Sequence, residues 1–242
     1  MADLPRFATA PSHVRALDFE HVLALVDYRA GRVQCLLPAA AAFWHQAAAT
    51  GRLDTMPSAL GARLLTAGLL TPTPAPAPWS PPVKARAAAA SWGSAEHPAG
   101  TTRPDSTLTL AASAALAAVL AIKRAGSSRT ALLRITSALR TAASTARRPA
   151  TLHQANAAVL AVRRAGWHSP ARTACLEESA AAVLLLATRR LAVTWCHGVA
   201  PDPVRLHAWV QTEDGTPAAE PPSTLAYTPA LTIGARHQHR QL

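Results

Sequence analysis

The sequence predicts an α+β protein in two parts: a small N-terminal module of strands and helices (residues 1–70) and a larger domain (83–242) in which helices are followed by an antiparallel sheet. A proline-rich linker (71–82) joins them. Three observations carry this. Two short apolar runs flank a Gly-containing turn near the N-terminus, a long Ala- and Arg-rich middle has apolar residues at helical spacing, and the chain after it alternates apolar and polar residues around turns. At 242 residues the chain can hold a module of about seventy residues and a second domain of ordinary size.

Taken in order, residues 22–26 and 33–37 read as strands around the turn 27–32, which contains Gly31. Pro38 then supplies a favourable first helical residue, and the Ala-rich run through Phe43 and Trp44 ends at Thr50-Gly51. A further helix is expected over 57–67, stopped by Gly68. The alternating prolines of 71–82 favour an extended, semi-rigid spacer of about 3 Å per residue. Residues 83–165 are expected to form helices, with Leu132, Ile135, Leu139 and Ala142 on one face, and 92–105 a loop in which His97 has no ligand-like companion.

The most apolar run, 108–122, falls short of the ~20 residues a bilayer demands, so a buried helix is expected and no stable membrane span. Met1-Ala2-Asp3-Leu4-Pro5 shows no basic region followed by an apolar stretch, and the three cysteines form no closely spaced pair. Both point to a reducing, cytoplasmic location.

The net charge of +11 raises the question of a nucleic-acid partner. Its distribution argues against one. Residues 1–70 hold six Arg and five acidic residues, 71–174 thirteen Lys or Arg and two acids, and 175–242 five Arg and six acids, so the excess lies wholly in the middle rather than on the N-terminal module. Arg134, Arg147, Arg148, Arg163 and Arg164 are read most simply as solvated surface, with an acidic peptide or a partner enzyme as alternative occupants.

The chemistry-bearing residues lie in the last part. Cys175 opens an apolar helix in which Leu176, Ala180, Val183, Leu184 and Ala187 recur at helical spacing. There the unpaired backbone N–H groups and the positive end of the helix dipole favour a thiolate, the form that attacks a carbonyl carbon. Glu177 and Glu178 in the same turn oppose it, so an imidazolium is required nearby, and His207 on an alternating segment is the candidate. If Asp214-Gly215 forms a two-residue hairpin turn, Trp209 faces Glu220, and Glu220 becomes a diagonal neighbour of His207 at roughly 7 to 8 Å between backbones. A carboxylate there would fix the imidazole as the third member of a catalytic triad does. Cys196 is the rival nucleophile. Cys175, Cys196, His197 and His207 match no structural-zinc spacing, and no metal is expected.

The stretch 163–233, especially Ala174-Cys175-Leu176-Glu177-Glu178-Ser179, Trp195-Cys196-His197-Gly198-Val199 and His207-Ala208-Trp209-Val210 with Asp214-Gly215, resembles the transglutaminase-like core of lasso-peptide biosynthesis B proteins, which are leader peptidases. The resemblance implies a transglutaminase/papain-like cysteine peptidase domain with Cys175 as nucleophile, His207 as general base and Glu220 as orienting acid. Many relatives carry Asp at that last position. It further implies a precursor peptide as substrate, an asparagine-synthetase-like cyclase as the ATP-using partner, and no cofactor of the protein's own.

The N-terminal strands and helices resemble a PqqD-type peptide-recognition element, a winged-helix-like module. The resemblance implies leader binding by strand addition, in which main-chain hydrogen bonds supply affinity and side-chain pockets supply selectivity. Arg32, Val33, Gln34, Cys35 and, on the following helix, Arg63 are the expected peptide-binding residues, and a purely structural role in the module's core is the alternative for each. Acyl transfer to an amine, or peptide binding without catalysis, are the other functions left open.

Overall fold

The computed structural model describes residues 4–85, 106–169, 171–201 and 203–234, so the expected loop at 92–105, with His97, lies outside the described residues. The chain divides into two compact units, Met1–Ala87 and Ala88–Leu242.

In the first unit the strands are β1 (Ala8–Thr9), β2 (Val14–Asp18), β3 (Leu23–Asp27) and β4 (Arg32–Leu36), followed by helices α1 (Pro38–Thr50) and α2 (Ser58–Thr66) and short strands β5 (Thr71–Pro72) and β6 (Val83–Lys84). β3 is buried along its whole length and lies inside a four-stranded sheet of order β4-β3-β2-β6. The β3–β4 turn is built by Asp27, whose Oδ1 accepts the N–H groups of Arg29 and Ala30 at 2.8 and 3.0 Å. Gly51 ends α1 at φ 70°, and a Cβ there would lie 2.4 Å from the backbone nitrogen of Ala77, so both the left-handed conformation and the close approach demand glycine. Trp44, Leu23, Leu25, Leu53, Leu64 and Leu70 form the core of this unit.

Two expectations are corrected here. β2, in which buried and half-buried residues mix, was not anticipated. The proline-rich segment does not stand off as a spacer: β5 pairs with β1, the Trp79 backbone N–H donates to the Ala48 carbonyl at 3.0 Å, the Trp79 ring meets Trp44 edge-on at 5.6 Å, and β6 joins β2 in parallel. Burial of an indole against the module's core outweighs the intrinsic extension of a Pro-rich chain.

The second unit contains α3 (Ser106–Arg124), α4 (Ala131–Thr145), β7 (Arg148–Pro149), α5 (Leu152–Trp167), α6 (Cys175–Thr188), β8 (Leu191–Ala192), β9 (Thr194–Ala200), β10 (Arg205–Gln211) and β11 (Thr228–Ile233). α6 packs against α3, α4, α5 and β10. Its burial therefore runs further round than the single stripe read from the sequence, taking in Ala180, Ala181, Ala182, Val183, Leu185 and Leu186. α3 is amphipathic, burying Ala112, Leu116 and Val119 and exposing Leu110, and among the described residues no helix is long and apolar enough to cross a membrane. Arg134 is not simply solvated: its guanidinium donates to the carbonyls of Ile122 and Lys123 at 2.9 and 2.8 Å, closing the C-terminal end of α3.

The sheet has the order β10-β9-β11, with both neighbours antiparallel to a fully buried β9. β10 thus takes β9 as its full-length partner, and the expected pairing with 216–222 forms only at its start, as a bridge between Gln211 and Pro217. Asp214-Gly215 does lie in a turn, but one with three residues between Thr212 and Thr216, whose backbone groups pair at 3.0 Å, with Gly215 at φ 87°. The extra residue shifts the register by one. Ladder bonding stops after Ala218 donates to Val210 at 2.8 Å, and Pro221 leads into a 3-10 turn, Pro222–Ala226.

Candidate active site

Cys175 is the first residue of α6, half-exposed, with the preceding Ala174 in extended conformation. Ala174 has no side-chain acceptor to cap the helix. The end is organised instead by Glu177, which accepts the Ala174 N–H at 3.0 Å and also pairs with Lys123 of α3. Glu178 accepts the Thr173 hydroxyl at 2.9 Å, and its other oxygen lies 3.8 Å from Arg163 Nε. Each of the two carboxylates expected to oppose a thiolate therefore has a cation beside it.

His207 projects from β10 with its side chain 19% exposed, and its Nε2 lies 2.9 Å from Glu220 Oε2. Glu220 reaches it from the irregular segment after Ala218, so the contact foreseen from a hairpin forms by another route. With Nε2 engaged, Nδ1 is the ring nitrogen left for sulfur. Burial disfavours the imidazolium, but the hydrogen bonds to Cys175 and Glu220 and the negative charge of both outweigh it, and the pKa rises to about 9. Burial pushes the Glu220 carboxyl up, yet the His207 hydrogen bond, the Arg163 charge and the Thr224 hydroxyl at 3.1 Å together bring it below the usual value.

Aromatic rings fix the imidazole. Trp209, two residues along β10 and so on the same face, stacks on it at 5.8 Å and 12°, and Tyr227 approaches at 5.1 Å. Gly198, the β9 partner of His207, leaves room for this: a Cβ there would meet the Trp209 ring at 2.8 Å. Sequence reasoning had placed Trp209 on the His207 face but had given no role to Tyr227, Gly198, Thr224, Asn156 or Arg163. The Arg163 side chain, expected at the surface, is only 16% exposed and donates to Glu220.

Cys196 lies in β9, fully buried, where loss of solvation pushes its thiol up to about 12, so it offers little thiolate at neutral pH. His197 follows it on the opposite face of the sheet, which separates the pair as metal ligands. Among the described residues no group of three or more His, Cys, Asp or Glu side chains is placed to hold a metal ion.

In the first unit, Gln34, Cys35 and Arg63 line one groove of about 320 Å³ together with Leu37 and Leu60. Arg32 and Val33 begin the same strand but do not line the groove. β4 is an edge strand, hydrogen-bonded to β3 on one side.

Comparison with curated proteins and with solved structures gave no match. Residues 116–232, which run from within α3 to β11 and include Cys175, His207 and Glu220, match the transglutaminase-like superfamily, and a transglutaminase-like domain is found over that stretch.

Proposed function

We propose that the protein is a cysteine peptidase that removes the leader from a ribosomally made precursor peptide during lasso-peptide biosynthesis, with Cys175 as nucleophile, His207 as acid and base, and Glu220 as the residue that orients and charges the imidazole. The observation that carries this reading is His207 hydrogen-bonded at 2.9 Å to a buried carboxylate, with Cys175, at a helix N-terminus, among the groups that raise its pKa.

In this mechanism the Cys175 thiolate attacks the carbonyl carbon at the leader–core junction. The His207 imidazolium gives its proton to the departing amine as the C–N bond breaks, leaving a thioester and a core peptide with a free amino terminus. Neutral His207 then takes a proton from water. The hydroxide adds to the thioester, the C–S bond breaks, and the leader leaves as a carboxylic acid that ionises in water while the thiolate–imidazolium pair is restored. The Cys175 backbone N–H is the natural first donor to the oxyanion. Neither metal nor organic cofactor enters these steps.

The first unit, as a PqqD-like, winged-helix-like recognition module, would add the leader as a strand along the free edge of β4. Its side chains would enter the groove bounded by Gln34, Cys35 and Arg63, whose charge suits an acidic leader. Freed core would pass to an asparagine-synthetase-like, ATP-using cyclase, with the protein itself in the cytoplasm.

The test is to incubate the full chain with a precursor peptide encoded beside it, with and without the cyclase, and to weigh the products. The expected result is a leader carboxylic acid and a free-amine core. Adding a primary amine separates the second reading, which the superfamily match fits as well as the first: an amide of the leader would mark acyl transfer. Peptide binding without cleavage under every combination would leave a recognition protein and refute the peptidase.

A further inference from the structure

Glu220 belongs to no strand, and the residue before it is strained: Ala219 has φ 52°, a left-handed conformation that disfavours any side chain and persists where the surroundings impose it. What imposes it is α5. Asn156 and Arg163 are seven residues apart on that helix, two turns on one face, and they take hold of both ends of the same residue. Asn156 Oδ1 accepts the Ala219 N–H at 2.7 Å, and Arg163 Nη1 donates to the Ala219 carbonyl at 2.6 Å. The second arm of the guanidinium reaches Glu220 Oε1 at 2.5 Å, which directs Oε2 to His207. The remaining nitrogen, Nε, faces Glu178 in the first turn of the helix that begins with Cys175.

From this arrangement we infer that Asn156 and Arg163 are positioning residues: they lock Ala219 in its left-handed conformation, aim the Glu220 carboxylate at His207 and, through Glu178, tie that carboxylate to the helix that carries the thiol. The inference rests on the Cys175–His207–Glu220 reading above. It requires arginine, because a lysine ammonium supplies the charge but not the planar fork that meets a carbonyl and a carboxylate together. α5 can bear the load because its start is fixed by the reciprocal bonds between Thr151 and Gln154 at 3.0 and 3.2 Å.

The test needs no substrate. The rate at which iodoacetamide alkylates Cys175 in the full chain is followed from pH 5 to 9 by mass spectrometry of the Cys175 peptide, which sets aside Cys35 and Cys196. Glu220→Gln is expected to slow the reaction at pH 6 by about tenfold, since it removes a hydrogen bond to a charged group. Arg163→Gln should do nearly the same, Arg163→Lys should recover part of the rate, and Asn156→Ala should fall between wild type and Arg163→Gln. The double variant Arg163→Gln/Glu220→Gln should be no slower than Glu220→Gln alone, because Arg163 acts through Glu220. Additive losses, or full alkylation in Arg163→Gln, overturn the inference while leaving the peptidase reading intact. A wild-type rate at pH 6 that His207→Gln does not lower overturns both. Should Arg163→Gln fail to give a native circular dichroism spectrum, Asn156→Ala, which removes one neutral bond, carries the same coupling test.

Discussion

His207 and His197 stand on adjacent strands of one sheet and are held in opposite charge states. His207, bonded to Glu220 and raised by Glu220 and Cys175, titrates at about 9 despite its burial. His197, on the other face and stacked on Trp195 at 6.0 Å, is pushed down to about 4, first by burial and then by the charge of His207. The two cysteines divide by burial rather than by face: Cys175 lies half-exposed at the mouth of a helix, whereas Cys196, which pairs with Trp209 and so shares the His207 face, is fully buried with its thiol up at about 12. Residue type does not decide which is chemically available. What decides is whether the fold brings a compensating charge to a group it has taken out of water.

The largest effect expected from this contrast is in the cysteines. Under the proposed mechanism Cys175→Ala should abolish precursor cleavage, a loss of at least about a thousandfold, because the Cys196 thiol is fully buried and held up at about 12 and does not replace it as nucleophile. Cys196→Ala should keep activity within about threefold and cost about 1 kcal/mol of stability through the small void it leaves. Measuring cleavage rates for both by mass spectrometry would break the comparison if the order reversed.

A smaller effect sharpens it from the sheet side. In Gly198→Ala the new methyl group would sit 2.8 Å from the Trp209 ring and 2.9 Å from the Thr228 carbonyl, so the indole must move off the His207 imidazole. Overpacking of this kind costs about 1–3 kcal/mol, and the misplaced imidazole should lower kcat by about tenfold with KM little changed. Gly215→Ala is the control. It strains a residue at φ 87° in a turn with nothing within 4 Å of the added carbon, so it should lower the melting temperature without touching kcat. Equal kcat losses in the two would show that the aromatic stack has no bearing on His207.

What the sequence disclosed and what it withheld follow a physical division. The turn at 27–32, the helix from Pro38 to Gly51 and the apolar helix opening at Cys175 were legible because their signals are local: a proline at a first helical position, a glycine at φ 70°, a 3.6-residue period. The register of the segment after β10 was not, because nothing local reveals that the turn holding Asp214-Gly215 has an extra residue. Trp79 reads as part of a spacer until Trp44 is there to receive it. Arg163 illustrates the limit most clearly. Its sequence setting, Val162-Arg163-Arg164-Ala165, is that of a solvated helix face, and only the tertiary return of residues 219–220 turns one of those arginines into a buried partner.

The smallest effect in this series concerns stability, and it sets the two histidines directly against each other. His207 has its pKa raised from 6.5 to about 9, so its contribution is fully present below pH 6.5 and is lost as pH rises through about 9. His197 has its pKa lowered from 6.5 to about 4, so the unfolded chain binds a proton that the folded one refuses, and stability falls as pH drops from 6.5 towards 4. Each slope is at most about 1.4 kcal/mol per pH unit. Glu220, whose pKa is lowered from 4.5, adds its own loss only below that value, which leaves the interval from 6.5 to 4.5 to His197. Against wild type, His197→Gln should flatten the acid side of a melting-temperature profile and leave the alkaline side, whereas His207→Gln should flatten the alkaline side. If His197→Gln leaves the acid side unchanged, the folded protein accepts a proton at His197, and the opposition between the two faces of the sheet does not hold.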